Sequence, residues 1–138
     1  MSTTTRQTLR RAPGRDGAGI RPADPVAAWV PICTLEQILP DTGVAALVAG
    51  RQVAVFRLAD DRVLAIDNHD PCSGANVLAR GIVGDVDGEP VVASPVHKQR
   101  FALATGDGFD GHERVACHPV RVRHGHVEVG VDGPARLA

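Results

Sequence analysis

Apolar residues fall in short runs from residue 26 onward, and turn formers separate the runs. Trp29–Ile32 has the texture of a first strand, and Thr34–Leu39 is long enough for one or two helical turns. Thr34 can cap those turns and Pro40 ends them. Val44–Ala49, Gln52–Leu58 and Arg62–Asp67 are each rich in Val, Ile or Leu. Gly50-Arg51 and Asp60-Asp61 connect them, a spacing that predicts a meander of antiparallel strands. The pattern breaks between Asn68 and Gly84, where Pro71, Gly74, Gly81 and Gly84 interrupt scattered apolar residues. Strand character returns at Pro90–Ser94 and Gln99–Leu103, lapses through Thr105–Gly111, and resumes at Pro119–Arg123 and His126–Val131. His124-Gly125 joins these last two as a hairpin. The periodicity supports no helix of three turns, and the expected class is all-β.

Composition changes this picture at the ends. At 138 residues the chain is one domain's worth, and 43% hydrophobic content suffices for a core. Its 15 basic and 16 acidic residues nearly cancel, so net charge supports neither nucleic-acid nor membrane-surface binding. Residues 1–25 differ: Arg6, Arg10, Arg11, Arg15 and Arg21 stand against Asp16 and Asp24, a balance of +3 that leaves the remainder at −4. With little apolar content, this arm is expected to be disordered, as is a short tail over 133–138. Pro13, Gly14, Gly17 and Gly19 break any amphipathic targeting helix, and no apolar core of a secretion signal follows the arginines. No run of about 18 apolar residues could span a membrane. Cys33, Cys72 and Cys117 form no CxxC pair, which leads us to expect reduced thiols in a cytoplasmic protein.

Chemistry concentrates in two loops, Asp67–Gly74 and Ser94–Phe101. Asp67-Asn-His-Asp-Pro-Cys-Ser-Gly74 resembles the first cluster loop of Rieske proteins, Cys-x-His followed one residue later by Gly. Ser94-Pro-Val-His-Lys-Gln-Arg-Phe101 resembles the second, Cys-x-x-His ending at Phe. In that family two thiolates bind one iron of a [2Fe–2S] cluster and two imidazoles bind the other. On this resemblance the first-loop Cys and His positions hold Asp70 and Cys72. The second-loop positions hold Ser94 and His97, and only His97 matches its ligand. A carboxylate and a hydroxyl replace both soft donors of the thiolate iron, so no cluster is expected.

Two longer runs narrow the resemblance, residues 68–85 (Asn-His-Asp-Pro-Cys-Ser-Gly-Ala-Asn-Val-Leu-x-Arg-Gly-Ile-Val-Gly-Asp) and Glu89–Phe101. Over about 29–131 the chain is similar to the small subunits of assimilatory NAD(P)H-dependent nitrite reductases. That implies a Rieske-like β-sandwich or barrel over 26–132, with a small loop-bearing subdomain over 67–104. It also implies a large-subunit partner holding FAD, a [4Fe–4S] cluster and sirohaem, while this chain carries no cofactor and no catalytic residue. By fold analogy the loop tips contact that partner, through Asp70, Pro71, Cys72, Ser73, Gly74, His97, Lys98 and Arg100. Alternation along an extended loop would put Lys98 and Arg100 on one side, with Arg80 following the first loop.

Other readings of these residues compete. A Rieske ferredoxin serving an oxygenase would need the missing thiolates. His69, Cys72 and His97, with Asp70, could offer zinc four ligands, but no pair has the local spacing of zinc sites. Cys72 assisted by His97 could be a nucleophile, but no oxyanion hole or third orienting group is evident. The plainer reading makes Cys72 a small buried filler and has His97 tie the two loops with a hydrogen bond. Gly74, Gly81 and Gly84 serve backbone geometry, since none stands in a strand–loop–helix phosphate cradle. His124 and His126 flank a turn and are expected to be solvated.

Overall fold

The structure, a computed structural model, describes residues 26–132 apart from positions 110 and 112. The basic arm over 1–25 and the tail over 133–138 lie outside the described residues. Among the described residues ten strands form three antiparallel sheets. In chain order they are β1 (Val26–Thr34), β2 (Thr42–Val48), β3 (Arg51–Arg57), β4 (Val63–Asp67) and β5 (Ile82–Val86), then β6 (Glu89–Ala93), β7 (Arg100–Ala102), β8 (Cys117–His118), β9 (Val120–Arg123) and β10 (His126–Asp132). The sheets are ordered β1-β10-β9, β2-β3-β4-β8 and β5-β6-β7.

The second sheet is the middle layer, and β3 shows why. Val53 and Val55 point to one face, into a core with Ile38, Ala65, Val127 and Val129. Ala54 and Phe56 point to the other, into a core with Ile66, Leu78, Val92, Phe101 and Leu103. A strand buried on both sides needs an unbroken apolar run, which Val53-Ala-Val-Phe56 supplies. Each fully buried Phe or Val is worth roughly 1.5–3 kcal/mol, so the first core joins the β1-β10-β9 sheet to the middle sheet and the second holds the small third sheet on its other face. Gly43 lets that packing close: a Cβ there would stand 2.6 Å from the Phe56 ring and 3.0 Å from the carbonyl of Ala79.

Thr34 opens a single 3₁₀ turn, Leu35–Gln37, and the Gln37 side chain accepts the Thr34 N–H at 2.9 Å. The β2–β3 turn is centred one residue earlier than expected, at Ala49-Gly50, whose positive φ values of 50° and 81° match the right-handed strand twist. The larger departure lies in residues 68–84. Leu78–Arg80 forms a second 3₁₀ turn, and Ile82–Val86 is a strand paired with β6 through an Asp87-Gly88 turn. No helix of the described residues is long and apolar enough to cross a membrane.

Candidate functional site

Residues 70–75 and 94–99 form turns with the same backbone pattern. In the first, the Asp70 N–H donates to Ala75 O (2.8 Å) and the Gly74 N–H to Asp70 O (2.8 Å). In the second, the Ser94 N–H donates to Gln99 O (2.8 Å) and the Lys98 N–H to Ser94 O (3.0 Å). The fifth residue of each is left-handed, Gly74 at φ 77° and Lys98 at φ 63°. The N–H two places after the first residue donates to that residue's side chain: Cys72 to Asp70 Oδ1 at 2.9 Å, and Val96 to Ser94 Oγ at 3.2 Å.

The two first residues meet. Ser94 Oγ donates to Asp70 Oδ2 at 2.6 Å, and both residues are fully buried. Ser73 Oγ adds a bond to the same oxygen at 3.1 Å. Burial alone would push the Asp70 carboxyl up, but donors from Ser94, Cys72 and Ser73 outweigh it and hold the group below the ordinary Asp value. A carboxyl lowered in this way stabilises the fold at neutral pH, and that contribution is lost as pH falls through the lowered value.

Neighbouring residues aim the first loop. Buried Asn68 donates to Gln52 Oε1 and Asn76 O (both 3.2 Å) and accepts the Ala79 N–H at 2.8 Å. Asp67, at the end of β4, is bonded to His118 Nε2 at 2.8 Å and to Arg51 at 3.0 Å. Burial raises its carboxyl, and His118 and Arg51 more than reverse the effect. His118 thus ties β8 to the root of the loop. Polar residues beside a turn-rich stretch were the available signal for both anchors.

Two sequence expectations require correction. His97 does not tie the loops together. It is exposed, and its ring makes no hydrogen bond among the described residues; the tie is Asp70–Ser94. Nor does strand alternation run from Lys98 to Arg100, because Lys98 is the left-handed corner of a closed turn. The Arg100 guanidinium instead lies 5.8 Å from the ring centre of Phe109. Pro95, Val96, His97 and Lys98 form a continuous exposed tip, while Pro71, Cys72 and Ser73 are half-buried beside Gly74.

The donor set does not fit a Rieske cluster. That cluster needs two thiolates on one iron and two imidazoles on the other, whereas the four positions hold Asp70, Cys72, Ser94 and His97. The oxygens at the two thiolate positions are in direct hydrogen-bond contact, at a separation that leaves no place for an iron between them. His69 Nδ1 is 3.3 Å from Asn76 Oδ1, and among the described residues no three His, Cys, Asp or Glu side chains group as a metal site would require. Burial first, then the carboxylates of Asp70 and Glu113, push the Cys72 thiol up, the opposite of what a nucleophile needs. The hollow beside Cys72, lined by Gln99, Arg100, Phe101 and Glu113, holds about 10 Å³, the room of a single water. What the arrangement offers is a two-loop surface whose turns are closed by hydrogen bonds and whose second tip is exposed.

Comparison with known proteins gives a consistent picture. Residues 28–130 match the Rieske-like [2Fe-2S] domain. The chain is 43% identical over 106 residues to the nitrite reductase (NADH) small subunit of Salmonella typhimurium, covering 75% of this chain and 98% of that one. It is 46% identical over 131 residues to the nitrite reductase [NAD(P)H] large subunit of Klebsiella oxytoca, covering 93% of this chain but only 14% of that protein. At 93% coverage about ten residues remain outside the match, so it reaches into the 25-residue basic arm. The solution structure of the Escherichia coli protein NirD superimposes with a TM-score of 0.71 at 42% identity, covering 77% of this chain and 98% of that one.

Proposed function

We propose a role that starts from one premise: this chain belongs to the Rieske-like [2Fe-2S] domain family and, within it, to the nitrite reductase small subunits. It acts as the small subunit of a cytoplasmic NAD(P)H-dependent nitrite reductase that makes ammonia for nitrate assimilation. Its contribution is assembly and positioning rather than electron transfer.

One observation carries the reading. The same domain occurs in Salmonella as nearly a whole small subunit, and in Klebsiella as about one-seventh of a chain named large subunit. A domain that is separate in one relative and covalently joined in another belongs beside its partner in both. The hydride, electron-transfer and nitrite chemistry would reside on that partner's FAD, [4Fe–4S] cluster and sirohaem.

The proposed docking face is the two tips, Pro71–Gly74 and His97, Lys98 and Arg100; Asp70, expected from the sequence to share in it, is fully buried and supports it from beneath. Their backbone is already closed by hydrogen bonds, so little ordering entropy would be lost on contact. Val96 (48% exposed) and Phe109 (38% exposed) give the face an apolar component beside the Lys98 charge. The ferredoxin alternative lacks its thiolates.

Calorimetric titration of this chain into purified large subunit tests the reading. A saturable one-to-one complex is expected, with a negative heat-capacity change from buried apolar surface. Failure of the purified, folded proteins to associate would overturn it.

A further inference from the structure

The chain contains the loop turn a third time. The Ala102 N–H donates to Asp107 O at 2.8 Å, the Gly106 N–H to Ala102 O at 2.7 Å, and Gly106 is left-handed at φ 84°. The first residue of this third turn is also buried, yet it is alanine. The turn therefore closes without a polar side chain at that place, and turn formation does not require Asp70 or Ser94 to be polar. Their bonds to the Cys72 and Val96 N–H groups are of a kind any short polar side chain makes locally. The 2.6 Å bond between them is different, since it joins residues 24 apart and links two loops. Among the described residues no cation pairs with Asp70, so hydroxyl and amide donors alone stabilise its buried charge. Removing Ser94 would take the shortest of these bonds from the buried charge, and removing Asp70 would leave the buried Ser94 hydroxyl without its acceptor.

We propose that the Asp70–Ser94 hydrogen bond is a clasp that stands in mechanically for a shared iron, locking the tips 70–75 and 94–99 into one rigid surface. Asp70 is thus a positioning residue. The clasp rests on this chain's own geometry; only the statement that the surface it steadies is the docking face rests on the proposed function.

Amide hydrogen exchange of the full chain tests the clasp, with each substitution read on the opposite loop. In Ser94→Ala the Gly74 amide should exchange at least about ten-fold faster, and in Asp70→Ala the Lys98 amide should do the same. The Val55 and Val92 amides of the two cores should be unchanged. Ser94→Thr, which keeps the hydroxyl, should restore protection, and Asp70→Ala with Ser94→Ala should be no worse than the more severe single variant. If Asp70→Ala does not fold, Ser94→Ala decides alone, because it leaves Asp70 its Cys72 and Ser73 donors. Faster exchange confined to the substituted loop would overturn the clasp. Faster cross-loop exchange with unchanged affinity for the large subunit would support the clasp and move the docking face elsewhere.

Discussion

A chain carrying Val96→Glu and Lys98→Glu is expected to bind the large subunit at least about a hundred-fold more weakly, with a melting temperature within a few degrees of the parent. Folding should survive because both side chains lie on the exposed tip and neither hydrogen-bonds within the domain among the described residues. The Lys98 backbone keeps its Ser94 partner, and glutamate bears a left-handed φ no worse than lysine does. Binding should suffer twice. An apolar group in a desolvated contact becomes a charge, and a cation on an otherwise acidic domain is reversed. A hundred-fold is about 2.7 kcal/mol, modest for a central contact and too large for a rim charge. Titration with the purified large subunit and a thermal melt as control measure it. Unchanged affinity in a folded variant would remove the second loop from the interface.

The second large effect is a gain. Asp70→Cys, Cys72→His and Ser94→Cys, with native His97, should bring the chain from no iron to about two irons after cluster reconstitution. The reduced protein should give a Rieske-type EPR signal. The frame for this is present: the Cys72 and Val96 amides already point at the side chains of residues 70 and 94. Those two side chains lie in contact, where ligands to one iron would have to converge. Hydrogen bonds to cluster sulfurs would then come from the same amides. A folded triple variant that takes up no iron would show that these loops no longer have a cluster-binding frame.

What the sequence made legible was local. Val53-Ala-Val-Phe56, the turn at His124-Gly125 and the two loop frames can each be read within a few residues, and each stands in the structure. Strand β5 could not be read from its alternation, because Gly84 and Asp85 interrupt it and Ile82 is exposed on an edge. Asp87-Gly88, a strong hairpin signal, was the clue to it. The clasp was hidden for a different reason. Asp70 and Ser94 look in sequence like two independent losses of a ligand, and only the tertiary fold shows that each replaces the other's partner. The same contact explains why His97 is free to face outward, contrary to the expectation that it would bridge the loops. His118 and Asn68 likewise acquire their roles from partners far away in the chain.

On the proposed function, this domain completes a nitrite reductase without carrying a redox centre of its own. The most direct test is nitrite-dependent NAD(P)H oxidation by purified large subunit, with and without this chain, using chain first shown by elemental analysis to contain no iron. No activity is expected from the chain alone, and full activity is expected of the complex with the iron-free chain. Activity that appears only after the chain has been loaded with iron and sulfide would contradict that function.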